Sequence, residues 1–260
     1  MFVNWDEVQR ALSPIKDYED LSRRVQISFA YPFVREKFNF SMPALVEYTR
    51  LSVGGDPRGR YNDYAERLIG ILSELQQAKV TDLLELASRT QTREQLKGFA
   101  EKSRIYAHDI VGVLKYLIYW FIPGEKYLSG LIRPDPALSA AIKALGGMGI
   151  RTNLDLLQQG LTPERRQALA QASGMPQPAV DELVNRADLS RLPWASKATI
   201  SNLIGAGYGS LAALANADPE QLYADFFAYG TSIGKNLKLG NEIENSYRIA
   251  RIVPALVKAV

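Results

Sequence analysis

Lys197 follows the run Leu192-Pro193-Trp194-Ala195-Ser196, whose residue types fit a tight hairpin between two helices. Ser196 and Lys197 place a hydroxyl and an ammonium at its exit, groups able to contact an anion. Further cations gather towards the C-terminus: Lys235, Lys238, Arg248, Arg251 and Lys258, opposed by Glu242 and Glu244. Arg248 and Arg251 share a helix face near Tyr247, which reads either as a solvated basic face or as one that touches nucleic acid or an acidic protein. The chemistry on offer is contact with an anionic partner.

Other chemistry is thin. The chain has no cysteine, which removes disulfides, thiolate nucleophiles and Cys-based zinc sites, and His108 is its single histidine. One imidazole cannot build a His-based metal cluster, and no Ser-His-Asp arrangement is signalled around it. The acidic residues form no evident dyad or metal cluster; Glu164 and Asp188 read as acids favouring helix N-termini. The loop Gly54-Gly55-Asp56-Pro57-Arg58-Gly59-Arg60 lacks the GK[ST] ending of a phosphate loop. The protein is therefore expected to be non-catalytic, with no cofactor and no metal. Large aromatics are the remaining candidates for contact. Trp194 at the hairpin, with Tyr119 and Trp120 in an apolar stretch, would bury against the chain's own core or against a protein partner.

Composition sets the frame. The 260 residues are 47% hydrophobic and 23% charged, as in a globular protein, with a net charge of +3. Lys and Arg outnumber Asp and Glu by 20 to 18 over residues 1–145 and by 11 to 10 thereafter, so neither half carries the concentrated charge usual in a dedicated nucleic-acid binder. The first residues lack the flanks of a secretory signal, and the most apolar window, 110–122, contains Lys115 and is shorter than a membrane span. The expected setting is soluble and cytoplasmic.

Helical periodicity dominates, and the predicted fold is all-α. Tyr18, Leu21, Val25, Phe29 and Phe33 recur at helical spacing, with Pro32 marking a kink or an end. Ser41 with Pro43 opens a second helix, and Asn62 or Asp63 is the expected cap of a third. Thr81 is expected to cap a short fourth. Thr92 and Gln95 match a capping box, and the helix they open is predicted to run about thirty residues to Pro123. Residues 1–130 thus read as a helical bundle, 131–230 as a separate repeat domain and 231–260 as a basic C-terminal helix.

The repeat is internal. Gly149-Ile150-Arg151-Thr152-Asn153-Leu154 resembles Gly207-Tyr208-Gly209-Ser210-Leu211-Ala212 at an offset of 58 residues. Each reads as a glycine turn, a Thr or Ser cap, and a helix entered on apolar residues. Upstream of each copy stands a hairpin-like run followed by a small-residue helix; in the first copy the run is Ile132-Arg133-Pro134-Asp135-Pro136. Between the copies, Thr162-Pro163 and Pro178 open helices and Gly174 ends one.

This assembly resembles an uncharacterised bacterial family of unknown function built from tandem helix-hairpin-helix repeats. The resemblance covers about 132–229 and rests on Gly149-Ile150, Thr152, Leu156-Leu157, Thr162-Pro163-Glu164, Arg166, Leu169-Ala170, Gly174, Val184-Asn185, Ala187-Asp188-Leu189 and Arg191. It implies a fold and an interaction role. Helix-hairpin-helix units commonly bind phosphates through hairpin N–H groups and a following lysine. Here Pro134 and Pro136 have no N–H to donate, and Trp194 stands where a small residue would allow close approach. Two readings follow. The chain is an adaptor or scaffold whose hairpins serve protein contacts, with Trp194, Tyr119 and Trp120 as anchors. Alternatively it binds nucleic acid through Ser196, Lys197, Lys235, Lys238, Arg248 and Arg251.

Overall fold

A computed structural model describes residues 2–193, 195–237 and 241–258, without the side chains of 241 and 242. The described residues form an all-α protein, and the chain divides into two compact units, residues 1–124 and 125–260.

The first unit contains α1 (Trp5–Leu12), α2 (Tyr18–Ala30), α3 (Pro32–Phe38), α4 (Met42–Ser52), α5 (Asn62–Gln77), α6 (Leu83–Arg89), α7 (Arg93–Ser103) and α8 (Ala107–Tyr116). The predicted break at Pro32 is present: Tyr31 adopts an extended conformation, as the residue before proline prefers, and ends α2. Ser41 caps α4, and Thr92 with Gln95 forms the capping box of α7. Two caps differ from expectation. Asp82 rather than Thr81 caps α6, while Thr81 donates to the Glu85 carboxylate; α5 begins at Asn62 without a side-chain cap.

The predicted thirty-residue helix is not continuous. It breaks at Arg104, which takes a left-handed conformation at φ +61° and reverses the chain before α8 begins. The central element is instead the ten-residue α8, which packs against α1, α2, α5 and α7. Its Ala107, Ile110, Val111, Val113, Leu114 and Tyr116 are all buried, as an all-round apolar helix requires. A π-helical turn, Leu117–Phe121, continues from it and brings Phe121 edge-on to Phe38, Phe40 and Tyr48.

The second unit opens with a 3₁₀ turn, Leu128–Leu131, followed by α9 (Pro136–Gly147), α10 (Asn153–Gly160), α11 (Pro163–Ser173), α12 (Gln177–Leu189), α13 (Lys197–Gly205), α14 (Leu211–Ala215), α15 (Pro219–Ser232) and α16 (Asn241–Ala250). α12 lies at its centre, against α9, α10, α11 and α14, with Val180, Leu183, Val184, Ala187 and Leu189 fully buried. α16 packs within this unit, on α14.

The internal duplication is present in the backbone itself. After α9, Gly149 has φ +83° and Ile150 N–H bonds the Leu145 carbonyl at 3.0 Å; after α13, Gly207 has φ +98° and Tyr208 N–H bonds Leu203 at 2.9 Å. Each pair of partners is 58 residues apart. Both closures use glycine in a conformation that disfavours any Cβ. The next helix is capped three residues later in each copy, by Thr152 on Asp155 N–H and by Ser210 on Ala213 N–H.

Candidate interaction surface

α15 carries the clearest surface feature of the second unit. Asp218 caps its N-terminus, accepting from Glu220 and Gln221 N–H at 3.0 and 2.9 Å, and Pro219 occupies the first turn, where its missing N–H is harmless. One face is buried through Leu222, Phe226 and Gly230. The Tyr229 ring packs where Gly205 of α13 has no side chain. Tyr208 donates to Asp225 at 2.8 Å, and burial together with that carboxylate pushes the phenol up to about 12. These contacts fix the rotation of the helix about its axis.

Fixed in that rotation, α15 turns Tyr223 and Phe227 outward, one helical turn apart, at 57% and 59% exposure. Small neighbours on the same side, Ala224, Ala228 and Thr231, are exposed with them. Sequence reasoning missed this pair. Both LxxxF (222, 226) and YxxxF (223, 227) run through the helix at the same spacing, so periodicity alone does not say which ring turns inward.

The anticipated aromatic anchors fare differently. Trp120 is only 7% exposed, its ring edge-on to Tyr61 at 5.5 Å and its carbonyl accepting from Tyr48; it is a core residue of the first unit, which corrects its expected role in partner contact. Tyr119 beside it, in the same π-helical turn, is 40% exposed. Trp194 lies outside the described residues, as does Lys238.

The described residues 190–193 and 195 of the hairpin are buried in the unit, and Ser196 is exposed at its exit. The Arg191, Leu192 and Ala195 N–H groups bond Asp188, Leu189 and Leu192 carbonyls, so these donors are engaged within the turn. From beneath, Lys126 donates to the Ser190 carbonyl at 2.6 Å and the Ala195 carbonyl at 3.2 Å, bridging the two limbs. Burial pushes its ammonium down to about 8. At the earlier hairpin, the Asp135 carboxylate caps α9 through Leu138 N–H at 2.8 Å and fills the helix N-terminus with negative charge.

The described cations anticipated for nucleic acid are spread over α13, the segment after α15, and α16 with the turn that follows it. Ser196 caps α13 through Thr199 N–H, and Lys197 is exposed in its first turn. Lys235 is exposed beyond the end of α15. Arg248 is half-buried and bonds Asn245 at 2.8 Å; Arg251 stacks on Tyr247 and bonds its hydroxyl at 2.9 Å.

Two arginines that carry the sequence resemblance have a structural task. Arg166 pairs with Asp181 at 2.6 Å and donates to the carbonyls of Gly160 and Lys258; Arg191 pairs with Asp188 at 2.7 Å and donates to Pro254. Together with the Lys258 N–H on Leu161, they tie residues 254–258 onto the unit. Burial pushes the Asp188 carboxyl up while Arg191 draws it down; burial is the larger effect.

His108 sits between Glu7, 3.1 Å from Nδ1, and Asp109, stacked on Tyr106, and is half-buried. In the 54–60 loop, buried Asp56 accepts from the Arg60 N–H at 3.0 Å and from its guanidinium at 2.9 and 2.6 Å, so the acid and the arginine close the loop on each other. Among the described residues no helix is long and apolar enough to cross a membrane.

Comparison with known proteins places a domain of unknown function in the second unit. Residues 138–239, from α9 to beyond the end of α15, match the family model described as "Domain of unknown function (DUF4332)". No curated protein and no solved structure matches the chain.

Proposed function

We propose that this chain is a non-catalytic adaptor that holds a protein partner through the outward face of α15. The observation that carries the reading is the Tyr223–Phe227 pair, two rings more than half exposed on a helix whose opposite face is locked by its own unit. Rigid aromatics offer large contact area at low entropic cost, and interface hot spots are enriched in them. The reading extends to the setting the sequence implies, a scaffold role in the cytoplasm of a bacterial cell, with α12–hairpin–α13 as a helix-hairpin-helix unit turned over to packing. The engaged N–H groups of Arg191, Leu192 and Ala195 and the Asp135 carboxylate at the first hairpin support that turnover.

Exposed Lys197 in the first turn of α13, beside the Ser196 cap, keeps sequence-independent nucleic-acid contact as the second reading. Titration of labelled duplex and single-stranded DNA across a salt series separates the two. The adaptor reading expects no binding, or weak binding that Lys197→Ala leaves unchanged. Binding that falls steeply with salt and is lost in Lys197→Ala would replace it with the phosphate-contact reading. A photo-crosslinker placed at position 227 should capture a discrete protein; crosslinking no different from that of an exposed control position such as 172 counts against the adaptor reading.

A further inference from the structure

We infer that the first unit binds a small, multiply charged phosphate compound in the cleft between the ends of α5 and α7 and the start of α8. The cleft has a volume of about 640 Å³, within the range of small-molecule sites. Lys79, Lys102 and Arg104 line it and are exposed, and none of the three forms an ion pair among the described residues. The other charges on its wall are accounted for differently. Arg89 pairs with Glu85 and Asp109 with Arg67, leaving Glu74 as one carboxylate against three cations.

The backbone supplies an independent observation. Lys79 and Arg104 are the two non-glycine residues with positive φ among those described, at +59° and +61°, and both lie on this one cleft. Lys79 closes α5 in a turn where Val80 N–H reaches Leu75 at 3.0 Å, a position that glycine ordinarily takes. A side chain there is disfavoured relative to glycine. The chain holds a cation at both positions, so two helix ends that glycine would ordinarily close instead present Lys79 and Arg104 to one cleft. One wall is fixed in advance: the Arg89 guanidinium donates to the Ala78 and Lys79 carbonyls at 3.4 and 3.2 Å and lies 5.5 Å from the centre of the Phe99 ring.

The charge balance selects the ligand class. An excess of two positive charges suits a diphosphate or a phosphate ester, and the guanidinium of Arg104 is the group best suited to bidentate contact with phosphate oxygens. The concave shape favours a small molecule over a polymer backbone.

The full-length chain is titrated calorimetrically with inorganic pyrophosphate and with ADP at constant ionic strength. The decisive variant is Lys79→Gly/Arg104→Gly, because glycine relieves both positive-φ positions and the fold should be at least as heat-resistant as the parent. Saturable binding of either probe is expected, weakened about tenfold or more in that variant and again in Lys102→Gln. ADP bound more tightly than pyrophosphate would identify an ester ligand; equal binding would identify the diphosphate group itself. Absence of saturable binding to both probes, or binding undiminished in the folded glycine variant, would overturn the inference.

Discussion

The carbonyl oxygen of Lys235 stands 2.7 Å from the point a Cβ on Gly230 would occupy, while the Gly230 carbonyl accepts the Lys235 N–H at 2.8 Å. The two residues close the end of α15 so tightly that the returning chain has no room for a side chain. Leu237, with its Cβ 2.9 Å from the same point, seals the contact. The helix that presents Tyr223 and Phe227 is thus anchored at its last turn by a backbone-to-backbone approach.

Gly230→Ala should therefore destabilise the second unit although alanine is the better helix former. Overpacking against backbone outweighs the propensity gain, and a loss of about 2 kcal/mol is expected. Urea denaturation of the variant measures it. A midpoint equal to the parent's would mean that the turn opens freely.

The duplicated turns predict matched behaviour. Gly149→Ala and Gly207→Ala meet no neighbouring atom, so each should suffer only from its positive φ, by about 1 kcal/mol and to a similar degree. Paired thermal melts test this. Costs that differ several-fold would show that the two copies do not share their mechanics.

That duplication, and much of the helix punctuation, was legible in the sequence because it depends on local chemistry. Gly149 and Gly207 recur at a fixed offset, Thr92 with Gln95 spells a capping box, and Gly174 ends α11 at φ +66°. The features that escaped depend on tertiary contacts. Arg104 breaks the expected long helix with a residue type that gives no turn signal. Trp120 and Tyr119 are neighbours in an apolar run, and only the contacts of Trp120 with Tyr61 and Tyr48 mark the first as buried. Tyr223 and Phe227 point outward because Gly205 and Tyr208, with Lys235 and Leu237 closing on Gly230, fix how α15 is rotated, and those partners lie outside the helix. The arginines behind the resemblance were visible as a pattern, but their grip on residues 254–258 was not, since a guanidinium-to-carbonyl bond leaves no mark on sequence spacing.

Arg191→Ala should remove two supports at once. It leaves the buried Asp188 carboxylate without its cation and releases the Pro254 carbonyl. Breaking a buried pair from one side costs about 3 kcal/mol or more, and residues 254–258 should become the first site of proteolytic cleavage. Limited proteolysis with mass mapping reads both effects. An unchanged cleavage pattern would show that Arg166 and the Lys258 N–H hold the segment alone.

Lys126 predicts a pH dependence with a definite sign. Its folded pKa, about 8, lies below the ordinary value of 10.5, so between these limits the unfolded chain binds a proton that the folded one has released. Stability should rise with pH across that window, and the gain is lost as pH falls through about 8. Lys126→Met removes the titration while keeping the stem. The difference in unfolding free energy between parent and variant should therefore change by about 2 kcal/mol in the parent's favour from pH 8 to 10.5. A flat difference would mean that the ammonium bridging Ser190 and Ala195 stays fully hydrated.

The adaptor reading stands on the face of α15, and one comparison addresses it directly. The tagged chain and its Tyr223→Ser/Phe227→Ser variant would be purified from the native cell under matched conditions, and the affinity of each for the co-purifying protein measured with isolated components. Both side chains are exposed, so the variant should melt within about 1 °C of the parent. The account predicts that it loses the partner by about a hundredfold or more in affinity, as removal of two hot-spot rings implies. Retention of the partner at parental affinity by a folded variant would contradict it.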